Sequence, residues 1–366
     1  MEPFNIRVKS VAVRGIFGSP RPVRRLLAGP SVRIDGQTLD LDARLVIRIK
    51  NASGSDVFAD PIDKARARYD GLPDIFGYQS PVPIATREII VAAEHGAIPC
   101  TLYTPADLPA PSGLLTYFHG GGFSVGSRVS HDPVARYLAS HAGVRVLSVE
   151  YRRAPESRFP AAVQDTVAAF EYAHRHAADL GADPDRIAVG GDSAGGNLAA
   201  VTAQQAVRRG GAVPAFQLLM YPPTDLGTRR PSRDLFARGS TFSDRNYLWA
   251  LGNYVPPDAD LTDPRLSPLH GDLTGLPPAY IGTAGFDPIR DDGEAYADAL
   301  RAAGVPVVLS RQADLPHAYL NFVGLGGRFA EAASEAAGAL RLGLASARAS
   351  GAQRGAGEFV GVGDIP

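Results

Sequence analysis

The chain has almost no cysteine. A single residue, Cys100, in 366 excludes an intramolecular disulfide and a cysteine-rich metal site. Its place in a strand-like run makes it a buried core thiol rather than a nucleophile. An excess of either charge is also missing. Lys plus Arg number 37 and Asp plus Glu 38, for a net charge of −1, so no field draws nucleic acid or an anionic membrane to the surface. Long apolar runs are absent as well. No window approaches the ~18 apolar residues of a membrane span, and Met1 to Lys9 is mixed and polar, without the apolar core of a secretory signal. The expected location is therefore the cytoplasm, with no nucleic-acid partner and no stable membrane insertion. No internal repeat is visible.

What remains is the composition of an ordinary soluble globular protein, 45% hydrophobic and 20% charged. The length admits one large α/β domain with insertions, or two domains. Residues 1 to about 85 show no alternation of strand and helix. They contain helical pieces at Pro20 to Leu27, Leu41 to Lys50 and Asp60 to Asp70, separated by Pro/Gly turns such as Gly29-Pro30. Such pieces read as a lid lying on something else, or as a peripheral extension. From Thr86 the pattern changes. Strands are expected at Thr86 to Ala92, Ala97 to Thr104, Gly113 to Phe118, Val144 to Val149, Ile187 to Val189, Ala215 to Tyr221, Ala279 to Thr283 and Val305 to Ser310. Helices are expected at 133 to 142, Ala161 to Ala178, Ala194 to Arg209, Gly293 to Ala303 and Gly327 to Ala345, with a further one around Asp244 to Tyr254. Alternation over more than 200 residues predicts a mostly parallel, doubly wound sheet. From about Ser346 the chain is rich in Gly, Ala and Ser and is expected to be disordered.

One stretch carries chemistry. Arg186 to Ala200 reads as a short β run, glycines, a serine, and then an Ala/Leu-rich helix, and it contains Gly191-Asp192-Ser193-Ala194-Gly195. This G-x-S-x-G pattern marks a tight strand-to-helix turn that exposes the serine at the carboxyl end of a sheet. Side chains at Gly191 and Gly195 would collide across so sharp a turn, and the following helix aims free N–H groups at the site. A serine hydroxyl needs a base to take its proton, and a carboxylate to orient that base. In the chain order Ser, acid, His, only His270 and His317 follow Ser193. His270 precedes the Ala279 strand, so His317, just after the last strand, is the better base. Asp287 comes first after the Ala279 strand and is followed by Pro288; Asp291, nearer the next helix, is the alternative. His119-Gly120-Gly121-Gly122 ends a strand and is the kind of loop whose N–H groups, with that of Ala194, hold an oxyanion. His119 is expected to brace that loop. Phe123, Tyr221, Phe242, Trp249 and Tyr254 are candidate pocket aromatics, and each reads equally as core packing.

Together these stretches resemble the hormone-sensitive-lipase-like branch of the α/β-hydrolases, best known for bacterial carboxylesterases. The resemblance rests on His119-Gly120-Gly121-Gly122-Phe123, Tyr151 to Glu156 (YRRAPE), Gly191 to Gly196 (GDSAGG), Asp287 to Asp291 (DPIRD) and His317, in the family's order over about residues 86 to 345. The run Leu26 to Leu41, with Asp35-Gly36, also looks like the cap region of bacterial members. The resemblance implies an α/β-hydrolase fold with an eight-stranded, mostly parallel sheet. It implies Ser193 as nucleophile, His317 as base and then acid, Asp287 as its orienter, and Gly121, Gly122 and Ala194 as oxyanion donors. It implies a helical cap formed by 1 to about 85 and about 222 to 255 over a catalytic body of 86 to 345. No metal or organic cofactor is required, the partner is a small-molecule ester, and a homodimer is compatible with the sequence. Two departures stand out: Arg153 where leucine is usual, and Ala318-Tyr319 after the histidine where Gly-Phe is common. An amidase or acyltransferase would use the same groups. A ligand receptor of this fold would have lost Ser193 or His317, and a lyase-type relative would carry an altered nucleophile.

Overall fold

The computed structural model describes residues 11, 13–52, 56–238 and 240–357. The polar stretch Met1 to Lys9 and residues 358–366 of the expected tail lie outside them. The N-terminal segment folds as the Pro/Gly punctuation requires. Helix α1 (Arg21–Ala28) stops at Gly29. A two-stranded hairpin, β1 (Arg33–Ile34) and β2 (Gln37–Thr38), turns on Asp35 and Gly36 at φ 53° and 71°, the two left-handed positions such a turn needs. Helix α2 (Leu41–Ala52) is capped by Asp40, whose carboxylate accepts from the N–H groups of Asp42 and Ala43 at 2.7 and 3.2 Å. Helices α3 (Ile62–Asp70) and α4 (Pro73–Phe76) follow.

The next segment alternates. It runs β3 (Ile84–Ala93), β4 (Gly96–Pro105), β5 (Ser112–Phe118), α5 (Asp132–Ala142), β6 (Arg145–Val149), α6 (Ala161–Arg175), β7 (Ala182–Asp192), α7 (Ala194–Arg209), β8 (Gln217–Met220), α8 (Pro231–Leu235), α9 (Asp244–Tyr254), β9 (Ala279–Phe286), α10 (Arg290–Ala302), β10 (Val307–Pro316) and α11 (Gly327–Gly357). The sheet has eight strands in the order β10-β9-β8-β7-β5-β6-β4-β3. The six from β10 to β6 pair parallel, and β4 and β3 close one edge antiparallel. This is the mostly parallel sheet that the alternation predicts.

Period-two alternation sends neighbouring residues of each strand into different cores. Leu114, Ile187, Leu219 and Ile281 pack with α6 and α7 residues such as Val167, Phe170 and Leu198. Leu115, Ala188, Leu218 and Tyr280 pack on the opposite face with α5 and α11 residues such as Leu138, Phe329 and Leu340. A sheet buried on both faces explains why the central strands read as continuous apolar runs.

Several strands run further than their apolar cores suggest. β10 continues past Ser310 because Arg311 and Gln312 still pair with Thr283 and Ala284 of β9. Ladder hydrogen bonds belong to the backbone, so polar side chains do not end them. The short α8 lies in a stretch whose sequence shows no regular pattern. The last helix extends to Gly357, beyond the end expected near Ala345, so part of the tail expected to be disordered falls inside a helix. Among the described residues, no helix is long and apolar enough to cross a membrane.

Candidate active site

Because β5, β7, β8, β9 and β10 are parallel, their carboxyl ends share one edge of the sheet, where a site can form from successive loops. Register makes the alignment close: Phe118 pairs with Gly191, Asp192 with Met220, Met220 with Gly282, and Phe286 with Pro316. Ser193, Asp287 and His317 are each the first residue past one of these strands.

Ser193 sits at φ 53°, a left-handed conformation that costs a side-chain-bearing residue on the order of 1–3 kcal/mol and is kept where the surroundings enforce it. Its N–H donates to Met220 O at 2.8 Å. A Cβ on Gly195 would stand 1.9 Å from Phe118 O, so the turn is possible only with glycine there. Ser193 Oγ is 3.0 Å from His317 Nε2, and His317 Nδ1 is 2.7 Å from Asp287 Oδ2. Asp287 Oδ1 accepts from the Ile289 N–H at 2.9 Å, and Asp287 and His317 are 0% and 3% exposed.

The alternatives point elsewhere. Asp291 accepts from Ser232 N–H and Arg290 Nε at 2.8 and 2.9 Å. His270 stands 3.3 Å from Asp225 and is partly exposed. Ala318 adopts φ 62°. That is the conformation glycine prefers, which gives the unusual Ala318 after the histidine a physical meaning: the turn is kept at a backbone cost of about 1–2 kcal/mol. Tyr319 is fully buried, edge-on to Tyr221 at 4.9 Å.

The glycine loop lies next to the elbow. Gly121 and Gly122 take φ 118° and 58°, and neither of their N–H groups donates to a backbone carbonyl among the described residues. Ala194 opens α7, so its N–H has no intrahelical acceptor. His119 braces the loop as expected: Nδ1 lies 2.8 Å from Gly120 O, its ring stacks on Tyr151 at 4.2 Å, and its carbonyl accepts from the Tyr151 hydroxyl at 2.8 Å. Burial, then the neighbouring His131, hold its pKa well below the usual imidazole value.

The chief residue that sequence reasoning missed is Asp192, the variable position of the motif. Its Oδ1 accepts from the Gly120 N–H at 2.9 Å and the Tyr117 hydroxyl at 2.5 Å, and lies 3.4 Å from His131 Nε2. An acid 1% exposed at the end of an apolar strand is the signal that could have revealed it. Cys100 is buried in β4, and burial pushes its thiol up to about 12.

The candidate pocket aromatics divide. Phe123 stacks flat on Tyr254 at 3.8 Å, both well buried. Tyr221 meets His317 edge-on at 4.9 Å, Phe242 lies over it at 4.7 Å, and Trp249 touches Phe58 at 5.4 Å.

A strained serine after a parallel strand, with a buried histidine and acid in line behind it, is the arrangement of an α/β-hydrolase. The chain belongs to that family: the sequence model described as the alpha/beta hydrolase fold matches residues 115–321. It is 42% identical to the carboxylic ester hydrolase LipN of Mycobacterium tuberculosis, covering 91% of each chain. Ethyl acetate hydrolase of Pseudomonas putida is 38% identical, over 70% of this chain and 83% of that one. Among solved structures, a hyperthermophilic esterase from Pyrobaculum calidifontis superimposes with a TM-score of 0.78 at 34% identity, covering 83% of this chain and 98% of that one.

Proposed function

We propose that this chain is a serine carboxylesterase acting on short- to medium-chain esters through an acyl-enzyme. The observation that carries the reading is His317, within hydrogen-bond distance of both Ser193 Oγ (3.0 Å) and Asp287 (2.7 Å). Ser193 Oγ attacks the ester carbonyl as His317 Nε2 takes its proton, while Asp287 holds the imidazole in the tautomer and orientation that allow this. The N–H groups of Gly121, Gly122 and Ala194 receive the oxyanion, and losing one donor of this kind costs on the order of 2.7–4 kcal/mol in the barrier. His317 returns the proton to the departing alcohol, and water then releases the acid by the same route. Of the cap expected from 1 to about 85 and about 222 to 255, the described residues cover the acyl and alcohol pockets, and residues 1–10 lie outside the described residues. Tyr221 and Trp249 line the pockets, whereas the flat stack of Phe123 on Tyr254 favours core packing for that pair.

An amidase would use the same atoms; the names of the relatives favour the ester. The test is hydrolysis of p-nitrophenyl esters of increasing acyl length, with Ser193→Ala in parallel. Wild type should turn over short esters fastest, and the variant should lose on the order of 10⁶-fold in kcat while melting at the wild-type temperature. A folded wild-type protein inert on every ester, or a fully active variant, overturns the reading.

A further inference from the structure

Residues Ser240, Thr241 and Phe242 touch His317 and the residue before Asp287. Ser240 Oγ donates at 2.9 Å to the carbonyl of Phe286, the residue before Asp287. Thr241 Oγ1 donates at 2.7 Å to the carbonyl of His317 itself. The Phe242 ring covers the His317 imidazole, with centroids 4.7 Å apart and planes 29° apart. The segment is held in turn by α2: Lys50 Nζ donates to Thr241 O at 2.7 Å and to Ser240 O at 3.4 Å. Ser240 and Ser243 also line a solvent-open cavity of about 780 Å³ together with Lys50 and Asp56. This short run of chain therefore has solvent on one side and the histidine on the other.

The triad's own hydrogen bonds leave one freedom open. Bonds at Nδ1 and Nε2 fix two points of the imidazole, and the ring can still tilt about the line joining them. The covalent tether at Cβ limits that tilt, and a contact on the ring face narrows it further. Tyr221 meets the ring at a steep 62°, and the ring stacked on the imidazole is Phe242, at 29°. That ring is wedged in turn against Phe58, at 5.6 Å, and packs with Tyr247 and Ile289.

We propose that Ser240, Thr241 and Phe242 form a strap that positions His317, with Phe242 fixing the plane of the imidazole between Ser193 and Asp287. The proposal rests on the acyl-transfer reading above. Phe242 is a positioning residue: it acts on the reaction through His317 and not on the substrate. The strap ties the N-terminal helix α2 to the catalytic base, so a segment far from the motif in sequence controls the geometry of proton transfer. A misdirected base lowers turnover steeply, because a displacement of about 1 Å can cost 10²-fold in rate.

The test measures kcat and KM on p-nitrophenyl acetate, butyrate and octanoate for wild type, Phe242→Leu, Phe242→Tyr and Thr241→Val. The strap predicts that Phe242→Leu lowers kcat about tenfold at all three acyl lengths with KM within about twofold, that Phe242→Tyr recovers most of the loss, and that Thr241→Val gives a smaller fall, also in kcat. A loss confined to KM that varies with acyl length would make Phe242 a pocket wall and overturn the proposal, as would unchanged kcat. If Phe242→Leu melts below the assay temperature, Thr241→Val decides by the same criterion. The labelling rate of Ser193 by a fluorophosphonate, which needs the base but no ester turnover, separates the two readings. Wild type that labels readily yet hydrolyses no ester defeats the esterase alone, whereas equal labelling of wild type and Phe242→Leu defeats the strap alone.

Discussion

The two halves of the site are held in different ways. On the nucleophile side, position comes from backbone. Ser193 is forced to φ 53° between Asp192 and Gly195, its N–H is tied to Met220 O, and the glycine loop passes so close that side chains cannot enter. The side chains that help are close by: Asp192 lies inside the same motif and reaches back to Gly120, and His119 braces the glycine loop from within it. On the acid–base side, the loops after β9 and β10 place Asp287 and His317, but the finishing contacts come from Ser240, Thr241 and Phe242, more than forty positions before Asp287. These residues are anchored by Lys50 from the opposite end of the chain. A strained turn with buried, satisfied groups is locally self-sufficient. A histidine on a turn is not, and needs neighbours brought in by the fold.

The sharpest way to break this contrast is to add one methyl group on the backbone-built side. A Cβ at Gly121 would lie 2.1 Å from Val125 O, at φ 118°, so Gly121→Ala must move the loop and with it the N–H groups proposed to hold the oxyanion. We expect kcat to fall on the order of 10²–10³-fold, read on the same p-nitrophenyl esters. Full activity would mean that close approach does not hold the loop.

A smaller effect is expected from Asp192→Asn. The amide keeps the shape and one acceptor but loses the charge that strengthens its bonds to Gly120 and Tyr117. Burial alone would raise this carboxyl, and the neighbouring His131 with hydrogen bonds from Tyr117 and Gly120 more than offsets it, so its pKa lies below the ordinary value. A depressed carboxyl stabilises the fold above its unfolded pKa of about 3.9, and that contribution fades as pH falls through the native value. The variant should lose about 1–3 kcal/mol at pH 7 and up to about tenfold in kcat, and the stability gap should close in acid. Urea midpoints at pH 7 and pH 3 check this, and a gap of equal size at both would show that the charge is not what Asp192 contributes.

The same contrast explains what the sequence could and could not reveal. The elbow, the glycine loop and the order Ser, Asp, His were legible because each is local: glycines are demanded by clashes within a few residues, and strand ends are marked by apolar runs. Asp287 could be preferred over Asp291 from its place just after a strand, and the structure sends Asp291 to Ser232 and Arg290 instead. The contacts of Phe242 with His317 and of Tyr117 with Asp192 were not legible. They join residues 75 positions apart, as in the second pair, whose spacing in the chain carries no period. Nor could the length of β10 be read, because its polar continuation is held by backbone pairing alone.

The smallest expected effect tests whether the acid–base half is also the less satisfied one. Asp292, close behind Asp287, is 1% exposed, yet its Oδ1 makes no hydrogen bond among the described residues. Its neighbouring cation, Arg230, reaches it with Nε at 3.3 Å while pairing more closely with Asp225, at 2.9 Å. Burial raises this carboxyl well above its ordinary value, and Arg230 only partly opposes that, with Asp225 and Asp287 adding to the rise. The sign is the reverse of that for Asp192. A raised carboxyl gives its full stability below the unfolded pKa of about 3.9 and loses it as pH climbs toward the native value. An asparagine side chain is neutral at every pH, so Asp292→Asn should match wild type near pH 4 and exceed it at pH 8, by about 1–4 °C in melting temperature. Wild type more stable than the variant at pH 8 would mean that Asp292 is ionised and well paired with Arg230. Both halves of the site would then rest on equally satisfied buried acids, and the difference between them would reduce to the strap.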